Sequence, residues 1–378
     1  MRVAGACESG SAMKSGSESP PHMATQEALM DVALVGLDSM YWPIAWAEAL
    51  REHAATIPTA SRRGAHRLVA CCDLGVSSRA VATEIGMTPA EYASRYGARL
   101  HATLEDLLKN ERIDAALVST RNTRTAEIAG PLIDKGIPCY ISKPIAAAPA
   151  DALMLGHKAE KAGVPCTAGV TTRCFPHYQA VYQAIRAGRI GRVVSVSVMH
   201  QHGSYAAWPA QTWYREPAEG GAPYWLGWYP LETVRWMAAS PIATVAAAGV
   251  NVTHAVRGEH EVIAAAGTTQ TGACWSFRIY FAAGAKWRFP MHEVEVFGER
   301  GVVRTLSDTR IQVFDDGGPR EEAVDSPPGN PVHRELLAWL DSLAGKATWH
   351  PTLKELAHTV TACEALRRSL RTGEVAQV

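Results

Sequence analysis

The sequence predicts an α/β fold, in which an N-terminal doubly wound parallel sheet is followed by an α+β domain with a large, open, mostly antiparallel sheet. Two patterns predict this arrangement. Apolar strand-like runs alternate with helical patterns up to about residue 150, and long β-branched alternation takes over after about residue 190. A chain of 378 residues is also too long for one typical core, so two domains are expected.

The first domain is predicted to cover residues 30–150. It opens with the apolar run DVALVG (31–36), which ends in glycine and precedes a helical pattern, so a buried strand leads into a helix. Further strands are predicted at 66–73, 113–120 and 137–144, each separated from the next by helical spacing. Strands that alternate with helices in this way indicate a parallel sheet covered on both faces.

The second domain is predicted to cover residues 151–378. After a short strand near 164–170, the run GRVVSVSVMHQ (191–201) begins a series of strands that are separated by glycine-containing turns. The later strands have no helices between them, which favours antiparallel pairing. The chain closes with helices near 332–344 and 352–371, and we expect the last helix to pack back on the first domain.

Composition excludes several functional classes. Lys and Arg balance Asp and Glu at 37 each, so no global field attracts nucleic acid or an anionic membrane, and no apolar run reaches the length of a bilayer span. The eight cysteines form no C-x-x-C pair, which is typical of reduced thiols in a cytoplasmic protein. Residues 1–29, rich in Ser, Gly and Pro, are expected to be a disordered leader, unless translation starts at Met23 or Met30.

The turn after the first strand, GLDSMY (36–41), lies where a dinucleotide diphosphate would rest on a helix N-terminus. Gly36 matches the first glycine of G-x-G-x-x-G, but Asp38 and Tyr41 take the places of the second and third, so a plain strand–helix turn is the alternative. Asp73 at the end of the second strand is positioned to accept the ribose hydroxyls of NAD.

Residues 113–193, from IDAALVST to GRIGRV, resemble the central part of the Gfo/Idh/MocA family of nicotinamide-dependent oxidoreductases, and residues 351–375 resemble its last helix. The likeness lies in an ordered series: a strand with a nearby Asn, an apolar strand that runs into Lys-Pro, and a later arginine segment. The resemblance implies a Rossmann dinucleotide-binding domain and a reaction on sugars, inositols or related polyols, with NAD or NADP as cofactor.

Ser142, Lys143 and Pro144 match the Glu-Lys-Pro signature of that family, with Ser142 in place of the glutamate. The resemblance implies that Lys143 contacts both cofactor and substrate and supports proton transfer, since an ammonium group can stabilise a developing alkoxide. The alternative is a solvated lysine in a crossover. The cofactor contacts implied by the resemblance are Gly36, Ser39, Met40, Asp73, Ser119, Thr120, Asn122 and Lys143.

The segment GGAPYWLGWYPLETVRW (220–236) resembles the glycine-rich segment and Asp-x-Gly-x-His-x-x-Asp motif of the family. Aligned on Gly227, Trp225 replaces the first aspartate, Tyr229 replaces the histidine base and Glu232 replaces the last aspartate. The resemblance therefore implies a substrate site that includes Trp225, Tyr229 and Glu232, in which the usual base is changed.

Tyr229 is the predicted replacement for that base, because an adjacent Lys143 ammonium would lower the pKa of the phenol toward a useful range. The alternative is that Tyr229 only packs. His177 is a second candidate base, and Arg173 in the same segment is a candidate donor to a substrate hydroxyl or carboxylate.

Five tryptophans and four tyrosines lie between residues 205 and 236. Such amphipathic rings suit the C–H faces and hydroxyl edges of a sugar, although a packing layer or a subunit contact would use the same residue types. His200 and His202 share one face of a predicted strand, but no third ligand lies nearby in sequence, so no metal is predicted.

The leading hypothesis is a cytoplasmic NAD(P)-dependent oxidoreductase that acts on a hydroxyl-bearing carbon of a sugar, glycoside or cyclitol. A lyase or glycosidase that retains NAD without net redox change, and a non-catalytic sugar-binding paralogue, stay open. Asp73 favours NAD, whereas Arg79 would suit NADP. An open sheet with one apolar face predicts a homodimer or homotetramer.

Overall fold

The structure is a computed structural model that describes residues 30–57, 65–203, 211–283 and 292–378. The predicted leader lies outside these residues, as do Tyr205 and Trp208 of the aromatic segment. No helix within the described residues is long and apolar enough to cross a membrane.

The first part of the chain forms a parallel sheet wrapped by helices. Its strands are β1 (Asp31–Val35), β2 (Arg67–Cys72), β3 (Arg99–His101), β4 (Ala115–Val118), β5 (Cys139–Ile141) and β6 (Thr167–Ala168). Its helices are α1 (Trp42–Thr56), α2 (Ser78–Ile85), α3 (Pro89–Tyr96), α4 (Leu104–Asn110), α5 (Thr125–Asp134) and α6 (Pro149–Ala162). The strand order is β3-β2-β1-β4-β5-β6 with every described pair parallel, which confirms the doubly wound prediction.

The second part forms a mixed sheet. Its strands are β7 (Val193–Gly203), β8 (Thr244–Val250), β9 (Val262–Thr268), β10 (Cys274–Ala283), β11 (His292–Gly298), β12 (Gly301–Ser307), β13 (Arg310–Asp315), β14 (Gly318–Ala323) and β15 (Ala376–Gln377). The order among the described strands is β14-β13-β12-β11-β7-β10-β9-β8-β15. Only the β7–β10 pair is parallel among them, so the prediction of a mostly antiparallel sheet is confirmed.

The pattern of buried residues along a strand differs between the two sheets. Strand β1 lies between helical layers, and Val32 to Val35 are all buried. Strand β10 alternates instead: Trp275, Phe277 and Ile279 are buried, while the residues between them are exposed. One face of the second sheet is therefore covered. The remaining helices are α7 (Pro176–Arg186), α8 (Gly221–Trp225), α9 (Trp228–Ala238), α10 (Pro331–Leu343) and α11 (Leu353–Thr372).

The two C-terminal helices bind the parallel sheet to the rest of the chain. Helix α10 packs on α1, and Trp339 meets the ring of Tyr140 with centroids 5.3 Å apart. Helix α11 packs on α6, where a Cβ added to Gly156 would lie 2.7 Å from the Cα of Lys354. Helix α11 also packs on β8, so it connects the first part of the chain to the second sheet.

Candidate active site

A cavity of about 610 Å³ lies where the carboxyl end of β5 meets the second sheet. Lys143 follows β5, Tyr229 lies in the first turn of α9, and His200 and His202 come from the end of β7. Met40, Tyr41, Tyr214, Trp225 and His292 also contribute to the wall. The cavity therefore collects residues from both parts of the chain around one lysine.

Lys143 is buried, with its side chain held by a backbone acceptor rather than by a carboxylate. Its Nζ donates to the carbonyl oxygen of Trp225 at 2.5 Å and lies 4.6 Å from the ring centroid of Tyr229. Desolvation lowers the pKa of this amine to about 7, because burial penalises the charged form. At neutral pH a substantial share of the lysine is therefore neutral and able to accept a proton.

Tyr229 lines the same cavity, beneath the Lys143 amine. Burial raises the pKa of its phenol above the usual range. This direction is opposite to the lowering expected from the sequence, because Lys143 lies over the ring face and itself loses charge on burial. Tyr229 is therefore a protonated phenol at neutral pH, suited to donate a hydrogen bond or a proton.

Aromatic and imidazole rings form a continuous stack along one wall. His200 lies parallel to Tyr229 with centroids 4.6 Å apart, His292 follows at 4.5 Å from His200, and Phe175 lies 4.8 Å beyond His292. Nε2 of His200 and Nδ1 of His292 are buried and have no hydrogen-bond partner within the described part of the chain. Burial lowers the pKa of His200 well below the usual range and that of His292 to about 3.

Sequence reasoning did not identify His292. It reaches the site because β11 pairs with β7 in a register that sets His292 opposite His200. Among the described residues, no group of three or more His, Cys, Asp or Glu side chains is arranged to hold a metal ion.

Arg173 and Glu232, predicted to contact substrate, bind each other instead. The Arg173 guanidinium donates through Nε and Nη2 to Oε1 of Glu232, at 3.0 and 2.5 Å. Glu232 is fully buried, and Arg173 lies over the ring of Trp236. Neither side chain is among the described residues that line the cavity, so the pair supports the floor of the site from outside.

His177, the second candidate base, is also outside the described lining. Its ring is 4% exposed and stacks on Phe175 with centroids 5.6 Å apart. Neither ring nitrogen has a hydrogen-bond partner within the described ranges, and burial lowers its pKa. Phe175 separates it from His292 and from the cavity.

A second cavity, of about 460 Å³, opens beside the carboxyl ends of β1, β2 and β4. Asp38, Arg79, Glu84, Arg121 and Trp213 lie along its wall. Burial raises the pKa of the Asp38 carboxyl, which favours its uncharged form and reduces repulsion toward a diphosphate.

The predicted cofactor residues are distributed around this edge. Asp73 is outside the described lining and accepts a hydrogen bond from the Gly75 amide at 3.0 Å. Gly36 is required by packing: its φ is +96°, and an added Cβ would lie 2.3 Å from the carbonyl oxygen of Ser119. Asn122 donates from Nδ2 to the carbonyl of Glu219 at 2.8 Å. Ser119 and Thr120 are buried at the end of β4.

Trp213 and Tyr214 stand between the two cavities. Their rings stack with centroids 4.1 Å apart, Trp213 facing the second cavity and Tyr214 the first. The indole of Trp213 donates to the carbonyl of Asp38, and the Tyr214 hydroxyl is 2.8 Å from Oγ of Ser39 and 3.2 Å from the carbonyl of Met40. The first strand–helix turn is thus covered by two rings from the second part of the chain.

Two family descriptions match the chain. Residues 31–170 match an oxidoreductase family with an NAD-binding Rossmann fold, and residues 178–304 match the GFO/IDH/MocA C-terminal domain. Together the two matches cover most of the residues that the structure describes, in the order in which the two sheets occur.

Curated relatives cover the chain only in part. D-apiose dehydrogenase of Paraburkholderia graminis is 27% identical over 251 residues, which are 64% of this chain and 61% of that protein. Inositol 2-dehydrogenase 1 of Saccharopolyspora erythraea is 31% identical over 103 residues, which are 27% of this chain and 31% of that protein. The chain therefore spans less than two thirds of the length of these relatives.

Solved structures share the fold over nearly the whole chain. Levoglucosan dehydrogenase, solved with NADH and levoglucosan, superposes with a TM-score of 0.76 at 15% identity, covering 93% of this chain and 100% of the other. An oxidoreductase from Agrobacterium radiobacter, solved with NAD+, L-tartaric acid and magnesium, has a TM-score of 0.74 at 17% identity, covering 92% and 98%. At these identities the likeness concerns the fold.

Proposed function

The chain belongs to the Gfo/Idh/MocA family of oxidoreductases, and we propose that it transfers hydride between a nicotinamide cofactor and a hydroxyl-bearing carbon of a sugar, glycoside or cyclitol. The observation that carries this proposal is Lys143: a buried amine at the end of β5, in a cavity where aromatic walls meet the carboxyl edge of a parallel sheet.

Lys143 and Tyr229 have different roles toward the substrate hydroxyl in the first cavity. Neutral Lys143 accepts the hydroxyl proton during oxidation, and the resulting ammonium stabilises remaining negative charge on the substrate oxygen. Tyr229, held protonated by burial, donates a hydrogen bond to the same oxygen and orients it. Trp225 and Tyr214 offer ring faces to the C–H surface of the substrate and exclude water.

The carboxyl edge of the first sheet fits a dinucleotide, which would supply the hydride acceptor or donor. Arg79 and Arg121 line the second cavity and suit phosphate oxygens, and burial raises the pKa of the Asp38 carboxyl. Gly36, Ser39 and Met40 of the turn, Asp73, Ser119, Thr120 and Asn122 are the residues assigned to this edge. We propose NAD as the preferred cofactor because of Asp73; Arg79 would favour NADP.

Two measurements test the function. Fluorescence titration with NADH and NADPH measures cofactor binding, and turnover of a polyol and sugar panel with NAD+ or NADP+ measures chemistry. Lys143→Met is expected to lower turnover by about 10²-fold or more. The matched control is Lys158→Met, which removes a lysine from the surface of α6. Turnover of Lys143→Met at the wild-type rate would refute the role of Lys143.

If the wild-type protein binds neither NADH nor NADPH, the non-catalytic sugar-binding alternative is favoured, because Trp213 and Tyr214 already cover the first strand–helix turn. Product formed without net change in NADH would favour the lyase or glycosidase. These outcomes separate the three functions.

We also propose a homodimer or homotetramer that works in the cytoplasm. Large apolar side chains lie exposed on the second sheet: Phe297, Leu306 and Phe314 on the neighbouring strands β11, β12 and β13, and Tyr280 on β10. A second copy would cover them. The cysteines within the described ranges are all free thiols, which suits a reducing compartment. Light scattering on the purified protein tests the assembly.

A further inference from the structure

The first cavity has an unusual balance of charge-bearing groups. Its described lining contains Lys143, His200, His202 and His292, and includes no aspartate or glutamate. Every group that can change charge near neutral pH on this lining is therefore a base.

The nearest carboxylates are already engaged behind the wall. Glu335 accepts from the Val170 amide and from Oγ1 of Thr171, and Glu232 is paired with Arg173. Burial raises the pKa of Glu335 to about 7, so its own charge is reduced. Neither carboxylate is hydrogen bonded to Lys143 or to the stacked histidines within the described structure.

The histidines are uncharged at neutral pH, because burial lowers the pKa of both imidazoles. His200 and His292 are neutral because burial and their mutual proximity disfavour two cations 4.5 Å apart. His200 is 3% exposed, and its Nε2 lacks a partner among the described residues. A buried ring nitrogen without a partner is costly unless a ligand supplies one. An anion in the cavity would supply both the acceptor and the reason to protonate.

We propose that the substrate of the proposed reaction carries a carboxylate, as an aldonate or uronate does, and that this carboxylate binds at the unpartnered ring nitrogens of His200 and His292, which leaves Lys143 free to act as the base. The inference rests on the proposed function, since it names the class of hydroxyl compound that the same cavity accepts. The substrate carboxylate supplies the negative charge that no acidic side chain of the described lining supplies.

The chemistry of the wall favours a carboxylate over a phosphate. The described lining has no arginine, so it lacks the bidentate guanidinium fork that protein sites for phosphate commonly use. One protonated imidazole of the His200–His292 pair provides a single positive charge, which suits a monoanion. Arg79 and Arg121 line the second cavity, where a dinucleotide diphosphate is assigned.

The pH dependence follows from the groups that face these bases. A bound carboxylate raises the pKa of the His200 and His292 imidazoles from their lowered values, so the affinity for the anion is highest at low pH and falls as the pH rises through the raised value. The other titratable groups around Lys143, His200 and His292 are His202, His177, Tyr41, Tyr229, Glu335 and Cys363. The pKa of the Cys363 thiol and of the Tyr229 phenol is raised by burial, so both stay neutral across this range.

The test is calorimetric titration of the full chain, with and without saturating NADH. The matched probes are D-glucuronate with D-glucose, D-galacturonate with D-galactose, and D-gluconate with D-glucitol; D-glucose 6-phosphate is the phosphate probe. We expect at least one acid to bind about tenfold or more tightly than its neutral partner at pH 6, with proton uptake and with a smaller ratio at pH 9. Equal affinities, no acid binding, or tighter binding of the phosphate would overturn the proposal.

Substitution of His200 and His292 tests where the substrate carboxylate binds. His200→Phe and His292→Phe keep the ring stack and remove the protonatable nitrogens, so each is expected to reduce the acid-to-neutral ratio about tenfold. His157→Phe, on the exposed surface of α6, is the control and should keep the wild-type ratio. If circular dichroism shows that one of these two variants is unfolded, the acid-to-neutral ratio of the other variant is the test. An unchanged ratio in a folded cavity variant contradicts the assignment.

The two proposals fail in different ways. If neither NADH nor NADPH binds and no probe is turned over, the proposed oxidoreductase function fails. If the cofactor binds and neutral sugars are oxidised without preference for acids, only the carboxylate inference fails.

Discussion

Lys143→Met should make the protein more stable while removing its activity. The pKa of Lys143 is lowered from 10.5 to about 7, a difference that corresponds to about 5 kcal/mol of desolvation cost in the folded state. Methionine escapes this cost but leaves the Trp225 carbonyl without its donor, a loss of about 1–3 kcal/mol. A net gain of about 2–4 kcal/mol in the free energy of unfolding is expected at pH 6.

The pKa of Lys143 differs between the folded and the unfolded protein, and this difference decides how the stability difference changes with pH. Below pH 7 the lysine is protonated in both states, so the wild type bears the full cost. As the pH rises from 7 toward 10.5, the folded lysine is neutral while the unfolded one stays protonated, so the wild type becomes more stable. The advantage of Lys143→Met should therefore shrink by about 3 kcal/mol between pH 6 and pH 9.

Urea unfolding followed by circular dichroism, without cofactor or substrate, measures this difference. Lys158→Met is the control: it breaks a surface pair with Asp134 and should change stability by less than about 1 kcal/mol at both pH values. A destabilised Lys143→Met whose stability difference from wild type is the same at pH 6 and pH 9 would refute the neutral, desolvated amine.

Three further predictions concern the support of the site. Glu232→Gln leaves the partly buried Arg173 without its counter-charge and should cost up to about 3 kcal/mol in urea unfolding; loss of activity at unchanged stability would instead indicate a substrate contact. Tyr214→Phe removes hydrogen bonds that cover the first turn, so NADH, followed by fluorescence, should bind up to about fivefold more tightly; weaker binding would show that the hydroxyl contacts the cofactor. Gly156→Ala places a Cβ 2.7 Å from the Cα of Lys354 and should lower the melting temperature by several degrees, about 1–3 kcal/mol, whereas an unchanged value would show that α11 shifts freely.

Periodicity predicted the fold because each part of the chain repeats one pattern. Buried runs such as DVALV are confirmed as strands of the first sheet, and the alternation in β10 is confirmed as a strand with one covered face. The resemblance to the family is likewise confirmed by the two matched descriptions. These features depend on local sequence, which a pattern along the chain can report.

The surroundings of the site depend on contacts between distant segments, and the sequence carries little signal for them. His292 meets His200 only through the register of β11 on β7, and Tyr214 meets Ser39 across 175 residues. Arg173 and Glu232 were assigned to substrate by motif position, but each finds its partner in the other. The roles of Tyr229 and Trp225 stay predictions, although both line the cavity with Lys143.

The positions at which this chain differs from the family motif all change the charge around Lys143. Where the family motif places glutamate, aspartate and histidine, this chain has Ser142, Trp225 and Tyr229. Without a carboxylate partner, Lys143 donates to a backbone carbonyl and loses its charge on burial, which makes it a base. The same change leaves the imidazoles of His200 and His292 without an acidic partner, so a substrate that brings its own carboxylate restores the balance. A carboxylate introduced by mutation beside His200 and His292 would therefore compete with an acidic substrate for these imidazoles.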